Sequence, residues 1–383
     1  MKGLRYVLLV CSAVILMMTL TGCISGAELK DRTIIKMVGV DLEGEDYLLT
    51  LLRFSPKGSL EEGSSQEQVS YLQTRGRSLS DAIDKVSHYT GNEIFLGNTS
   101  LLVIGKEAAK KDIEKCMSFF NANHEVNPEL YLTLASSRAQ DVIQVQSRQN
   151  DAPTQLKSLI KQGQENGLLG RPTLRDVMNR LQSDCSEPYL PMIEAVDVGE
   201  GKQLLKISGM GICKDGKLKA TLPIEESRGV LWATNELNHA VLTVDFGKEE
   251  SSRASVTLND SKSRVQVNIQ DGAPQIYLSI QTNGSLNEIN SSNGAGAGFE
   301  ELKEIQQKAA EKIEETVKKT ISKVFFQEKS DVFRYSEFIK KQQPAYWKAH
   351  QEEWDEMIDQ CQIYVEARCK IEHLGLEAKH RQG

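Results

Sequence analysis

Residues 76–120 read GRSLSDAIDKVSHYTGNEIFLGNTSLLVIGKEAAKKDIEKCMSFF, and the reading of this stretch decides the class of fold. Ser78-Leu-Ser-Asp81 has the form of a helix start, and Ala82, Ile83 and Val86 then fall on one face at helical spacing. Ser100 to Ile104 is an apolar run of strand length that leads into a second helical pattern, Glu107 to Phe120, and Leu130 to Leu134 supplies another strand. Strands and helices alternating at this spacing imply a layered α/β domain, with helices packed on a sheet.

Upstream, Thr33 to Val40 reads as a buried strand and Tyr47 to Phe54 as its hairpin partner. The acidic segment between them, Asp41 to Asp46 (DLEGED), lacks the alternating Asp/Asn ligands and distal Glu of a calcium loop, so a solvated turn is expected. Ser55 to Gln68 is polar, rich in Gly and Ser, and reads as a loop. Downstream, Ala139 to Asp184 is mostly helical, with a second capping-box-like start at Thr173 to Asp176. Prolines and a Gly-Glu-Gly run mark Glu187 to Gly201 as a linker.

Beyond it, Leu205 to Ile212 and Lys217 to Leu222 form a hairpin about Lys214-Asp-Gly216, because Asp-Gly supplies the positive φ angles of a tight turn. A short helix over Glu225 to Asn235 and a strand over Ala240 to Phe246 follow. Val265 to Ile269 and Ile276 to Ile280 alternate apolar with polar on either side of Asp271-Gly-Ala-Pro274, and Gly294-Ala-Gly-Ala-Gly298 reads as a hinge. From Glu301 to Phe326, Leu302, Ile305, Ala309, Ile313, Val317, Ile321 and Val324 recur at spacings of three and four, which specifies a long amphipathic helix. Helices over Val332 to Gln342 and Trp347 to Ile358 flank Pro344, and an alternating strand from Cys361 closes the chain. The expected architecture is α/β (α+β) and multidomain, with mixed or antiparallel sheets covered by helices and no enzyme superfold. The expected units are a signal peptide over 1–22, an N-terminal α/β domain over 23–198, a small middle β-hairpin domain over 199–248, and a C-terminal antiparallel sheet with helices over 249–383.

Composition narrows the function. With 39% hydrophobic and 26% charged residues in 383, the chain is globular and too long for one core. A net charge of −7 leaves no broad basic face, so no nucleic acid partner is expected. After the first two dozen residues no apolar run approaches the roughly 18 needed to span a bilayer, which excludes a polytopic membrane protein.

The N-terminus has its own pattern. Lys2 and Arg5 precede an apolar stretch from Tyr6 to Leu20, the length of a signal-peptide h-region. It ends in Leu20-Thr21-Gly22-Cys23, which resembles the lipobox of bacterial lipoproteins. The resemblance implies cleavage before Cys23, a diacylglyceryl group on its thiol and acylation of its amino group. Losing Lys2 and Arg5 takes the net charge from −7 to −9, so anchoring falls to the acyl chains and not to a basic patch.

Of seven cysteines, Cys11 leaves with the signal and Cys23 is the lipid site, leaving Cys116, Cys185, Cys213, Cys361 and Cys369. No CxxC occurs, and their scatter fits no zinc site. Cys361 and Cys369 lie on one face of a strand, but eight residues at about 3.3 Å each separate them by some 26 Å. A disulfide needs Cα atoms within about 7 Å. All five read as buried small hydrophobes. GxSxG, HExxH and GxxxxGK[ST] are absent, and the GAGAG run lacks the strand and the distal acidic residue of a dinucleotide fingerprint. The six histidines (His88, His124, His239, His350, His373 and His380) are scattered singly. No catalytic centre, metal set or cofactor motif emerges.

Four ordered blocks carry a wider resemblance. Glu28-Leu-Lys-Asp31 with Ile34 to Asp41 (IIKMVGVD), the Gly76 to Phe120 stretch, Ile207-Ser-Gly-Met-Gly-Ile212 with Glu225-Glu-Ser-Arg-Gly-Val-Leu-Trp232, and Ser330-Asp-Val-Phe333 with Pro344 and Trp347 are similar to the C subunit of the GerA-type germinant receptors of endospore-forming bacteria, the Ger(x)C family. The chain departs from the family pattern at Ile24-Ser25, where Trp-Asp is usual, at Asn98, near which His is usual, and at Arg334, which replaces a glycine. Gly209 and Gly211 read as sites of close strand packing, and Trp232 as a core anchor.

The resemblance implies a lipid-anchored, non-catalytic subunit on the outer face of the spore inner membrane. Its implied partners are two multi-pass membrane subunits, A and B, in a complex that responds to small nutrients. Candidate contact surfaces are the exposed faces of the Glu301 to Phe326 helix and of the middle hairpin. The alternative is a lipid-anchored solute-binding protein, which needs a ligand cleft between domains. A cell-wall or lipid-processing hydrolase would need a nucleophile or metal set that the sequence does not offer.

Overall fold

In the computed structural model, which describes Gly3 and residues 32–54, 69–145, 152–247, 252–290 and 298–374, strand β1 (Arg32–Glu43) is buried along nearly its whole length. Ile35, Met37, Val38 and Val40 point to both faces and none is exposed, the pattern of a strand covered on both sides. β1 pairs antiparallel with β2 (Asp46–Phe54), and β2 with β3 (Val69–Gly76). β4 (Glu93–Phe95) and β5 (Leu101–Ile104) pair parallel with β1, and β6 (Tyr131–Ala135) and β7 (Tyr189–Asp197) continue that direction. β8 (Gln203–Lys214) and β9 (Lys217–Leu222) return antiparallel. The result is one nine-stranded mixed sheet in the order β3-β2-β1-β5-β6-β7-β8-β9, with β4 beside β1.

Among the described residues, five helices cover it: α1 (Leu79–Thr90), α2 (Lys106–Ala122), α3 (Ala139–Gln144), α4 (Ala152–Glu165) and α5 (Leu174–Leu181). α1, α2 and α5 bury their apolar stripes on one face, α3 and α4 on the other. The two helix starts legible in sequence form as read. The Ser78 side chain accepts the Asp81 N–H at 3.1 Å, and Thr173 accepts the Asp176 N–H at 3.2 Å.

Two expectations need correction. The 187–201 segment is no linker, because Tyr189–Asp197 is an interior strand between β6 and β8. Its prolines are tolerated because Pro188 precedes the strand and Pro191 precedes the short ladder with β6, Leu134↔Met192 and Ala135↔Ile193. The 199–248 segment is not a separate domain either. Its hairpin turns at Asp215-Gly216 with φ of 52° and 67°, as the sequence predicts, but it extends the first sheet. The Gly216 carbonyl accepts the Ile113 N–H at 2.8 Å, next to the break in α2 at Asp112. The rest of the segment, α6 (Ile224–Ala233) and β10 (Ala240–Asp245), joins the second unit. A lone hairpin has too little apolar face to hold a core of its own.

The second sheet runs β10-β11-β12-β13, with β11 (Arg253–Gln270), β12 (Ala273–Asn290) and β13 (Gln362–Leu374). β11 and β12 form a hairpin much longer than the two apolar runs that announced it, turning at Asp271-Gly272. β13 pairs parallel with β12, so the sheet is mixed and not antiparallel. The chain between them returns through α7 (Phe299–Ile321), a π-helical turn (Ser322–Gln327), α8 (Tyr335–Gln342), α9 (Pro344–His350) and α10 (Trp354–Met357), and a crossover of that length delivers a parallel strand. Pro344 starts α9, where its missing N–H costs nothing.

A single core spans both units. Met210, Ile212 and Leu222 of the first sheet pack with Trp232, Ile313, Phe325, Phe333, Trp347 and Trp354 of the second. Phe325 meets Tyr335 edge-on at 5.3 Å, and Trp347 meets Trp354 at 5.5 Å. Cys116, Cys185, Cys213 and Cys361 are buried free thiols, and Cys369 is a half-buried one. Residues 1–22 apart from Gly3, Cys23, the 55–68 loop and all of the 294–298 run except Gly298 lie outside the described residues.

Candidate contact surfaces and the groove between the units

The segment Ser330-Asp-Val-Phe333 builds a polar joint between the two units. Lys329 and Arg334 adopt left-handed backbone, with φ of 55° and 63°. Between them the chain turns the Asp331 carboxylate under the N-terminus of α8. It is 4% exposed and accepts the N–H groups of Tyr335 (2.9 Å) and Ser336 (2.8 Å) and the Ser336 hydroxyl (2.6 Å). Burial holds this carboxyl above the ordinary aspartate range even though these donors favour its charge. The Ser330 hydroxyl donates to the Cys213 carbonyl at 2.6 Å, and the Asp331 carbonyl accepts the Glu187 N–H at 3.2 Å. The Ser336 oxygen also lies 2.9 Å from the Cys185 carbonyl. Lys214 reaches across to Asp355 at 2.8 Å. The left-handed backbone at Arg334 explains why a glycine suits that position, since an L side chain there costs about 1 kcal/mol.

Asp41 performs the same task in the first sheet, and here the solvated-turn reading is corrected. The turn proper is Gly44-Glu45, and Asp41 belongs to β1. Its buried carboxylate accepts the N–H groups of Ala139 (2.7 Å) and Gln140 (2.9 Å) and so caps α3 from 98 residues away.

The exposed face of α7, an expected contact surface, is occupied by ion pairs. Lys308 meets Glu311 at 2.9 Å and Lys318 meets Glu314 at 3.0 Å. Side chains of α7 also close both edges of the second sheet. Glu314 accepts the Ala367 N–H and Gln306 the Ile371 N–H of β13, at 2.9 and 2.8 Å. Lys312 donates to the Thr243 carbonyl of β10, and Glu304 accepts the Gly247 N–H just beyond it. Capping of this kind interrupts the strand edges as sites of intermolecular pairing. Lys319 and Lys323 both bind Glu226 of α6. Burial alone would raise the Glu226 carboxyl, but the two ammonium groups outweigh it and hold the carboxyl below the usual range.

The hairpin motif proves structural. Gly209 has φ of 148°, and a Cβ there would stand 1.9 Å from the Leu222 carbonyl oxygen. At Gly229 a Cβ would meet the Thr320 hydroxyl at 2.3 Å, so this glycine sets the approach of α6 to α7. Trp232 is 1% exposed, a core anchor as read.

No sequence pattern announces the polar groove between the units. The connection from α4 to α5 contributes Gly170 and Arg171, the connection from α6 to β10 contributes Glu236 and Asn238, and the start of β6 contributes Glu129 and Tyr131, around about 520 Å³. A neighbouring cleft of about 410 Å³ continues it past Asp176, Arg180 and Tyr189. Arg171 pairs with Glu129 at 3.1 Å, Arg180 pairs with Glu236 at 3.0 Å, and the Arg180 guanidinium lies 4.7 Å over the Tyr189 ring. Tyr189 lines this cleft, and burial together with the nearby Glu236 charge holds its phenol protonated. These residues come from segments up to about a hundred positions apart, and no local pattern joins them. Guanidinium donors and carboxylate acceptors of mixed sign suit the groove to polar groups. Among the described residues, no three His, Cys, Asp or Glu side chains are grouped to hold a metal ion, and no helix is long and apolar enough to cross a membrane.

Comparison with known proteins covers nearly the whole chain. Residues 25–195 match the family described as "Spore germination protein N-terminal domain", and residues 208–375 match "Spore germination B3/ GerAC like, C-terminal". Spore germination protein KC of Bacillus subtilis (strain 168) is 23% identical over 98% of this chain and 96% of its own length. Spore germination protein B3 of the same organism is 22% identical over 95% and 97%. The crystal structure of the GerBC protein superimposes with a TM-score of 0.58 at 17% identity, covering 87% of this chain and 96% of that one, which shows a shared fold.

Proposed function

The chain belongs to the GerAC-like family of spore germination proteins, and from that premise we propose that it is the lipid-anchored, non-catalytic C subunit of a nutrient germinant receptor. In this reading Cys23 carries the S-diacylglyceryl and N-acyl groups, and the body sits on the outer face of the spore inner membrane beside two multi-pass subunits, A and B. One observation carries it: the two family domains follow one another in order along a chain whose first match begins just behind a lipobox. The physical logic is consistent. At about 0.8 kcal/mol per buried methylene, two or more acyl chains hold a protein durably at a bilayer. Confinement to that layer raises the local concentration of the subunit, so a modest interface with membrane-embedded partners suffices. The joint at Asp331 and the shared core fit an adaptor that moves as one body. The buried carboxyls of Asp41 and Asp331, both raised by burial, are engaged in capping helices, which supports a non-catalytic role.

Affinity capture of the full chain from detergent-solubilised spore membranes tests the assignment. Polytopic receptor subunits accompany it if the reading is right, and their absence overturns it. Cys23→Ala releases the chain from membranes and impairs the germination response. Full membrane retention in that variant would refute the anchor.

The polar groove gives a solute-binding protein some support as a second reading. Calorimetry with amino acids and sugars on the lipid-free body separates the two, since tight binding favours the second.

A further inference from the structure

The end of the first sheet at which β1 begins forms a continuous charged face. Arg32 lies 3.8 Å from Glu125 and 3.7 Å from Glu93, with its guanidinium 4.9 Å over the Phe95 ring. β5 and β6 run parallel to β1 and start level with Met37, so the connections that precede Leu101 and Tyr131 lie toward the Arg32 end. Glu129, just ahead of β6, binds both Arg171 and Arg175 at 3.1 Å. The polar groove therefore opens on the end of the sheet where the chain from Cys23 enters. With β5 lying between β1 and β6 and both starting level with Met37, the groove stands about 10 Å to the side of that entry point and about 16 Å along the strands from it.

Reach limits how far the Arg32 end can stand from the bilayer. The nine-residue interval from Cys23 to Arg32 spans at most about 32 Å when extended. β1 rises about 36 Å over its length and carries the Gly44-Glu45 turn at its far end. A lipid on Cys23 thus keeps the Arg32 end within reach of the bilayer, and with the strand upright the Glu45 end stands beyond it. The chemistry of the near end then selects its occupant. Arg32, Arg171 and Arg175 are matched by Glu93, Glu125 and Glu129, so no net positive patch remains for anionic headgroups. The groove itself is lined by polar side chains of both signs, unsuited to acyl chains. Its floor is bare at Gly170, where a Cβ would come 2.3 Å from Glu236 Oε2 and 2.9 Å from the Tyr189 hydroxyl.

We infer that this groove faces the membrane and receives a polar extramembrane segment of a membrane-embedded partner subunit. The inference rests on the lipid-anchored receptor reading above and adds the contact surface to it. The test places a photo-crosslinking residue in the full lipidated chain at exposed Asn238 on the groove rim, with exposed Glu45 at the far end as control, and irradiates intact spores. A crosslink from position 238 to a polytopic subunit, with none from position 45, is the expected result. Crosslinks from 238 to lipid alone would replace the protein partner with the bilayer and overturn the proposal. Silence at 238 while polytopic subunits still co-purify would overturn it too, leaving the receptor reading intact. If no such subunit co-purifies, the receptor reading fails and takes the groove assignment with it.

Discussion

Replacing Asp331 with Ala should break the joint between the two units. The substitution leaves two backbone N–H groups, those of Tyr335 and Ser336, without their carboxylate acceptor, and removes one acceptor of the Ser336 hydroxyl. Hydrogen bonds to charged groups contribute roughly 1.5–3 kcal/mol each. Part of that loss is offset because alanine removes a buried charge whose desolvation is unfavourable. The net expectation is a loss of about 3 kcal/mol, or roughly 4 °C in Tm for a chain of this size. Asp331→Asn keeps one acceptor oxygen and should lose only about half as much. Urea unfolding of the lipid-free polypeptide from residue 24, followed by tryptophan fluorescence, measures both. Trp232, Trp347 and Trp354 all report on the shared core. A loss under about 0.5 kcal/mol in the Ala variant, within the scatter of ordinary surface substitutions, would refute the claim that this carboxylate holds the units together.

Three further outcomes follow from the same geometry. Gly209→Ala combines a φ of 148° with a Cβ 1.9 Å from a backbone oxygen, and should destabilise by at least about 3 kcal/mol in the same urea assay; a near-native midpoint would show that the strand can shift. Glu226 has a carboxyl held below its ordinary value of 4.5, so its contribution is present above that pH and is lost as pH falls through its lower folded value. Glu226→Gln should therefore flatten the acid limb of a stability-versus-pH curve below about pH 5, and parallel curves for the two proteins would contradict the Lys319–Glu226–Lys323 bridge. Burial pushes the Cys116 and Cys361 thiols up to about 12 and raises Cys213 as well, so a disulfide reagent at neutral pH should reach half-buried Cys369 first and these three only on unfolding. Rapid native labelling of Cys116 would be the contrary result.

The sequence by itself determined the local elements and their faces. The α1 and α5 starts, the Asp215-Gly216 turn and the Leu302-to-Val324 stripe were legible because each is set by neighbours within a few residues: a capping hydroxyl, a positive φ, a repeat of three and four. The family blocks were legible for the same reason, and they placed Trp232 in a core before any packing was known. Only the tertiary structure decided where those pieces went. The 199–222 stretch joined the first sheet instead of forming its own domain, since a hairpin's partner strand is chosen by long-range pairing that no local pattern encodes. β13 ran parallel to β12 because the helices between them carried the chain back. Asp41 reads as a turn acid, and its role as a distant helix cap depends on backbone donors brought to it by folding, whereas Asp331 caps the helix that starts four residues after it. The groove is the extreme case, since Glu129, Arg171 and Glu236 come to line one cavity only once separate connections converge.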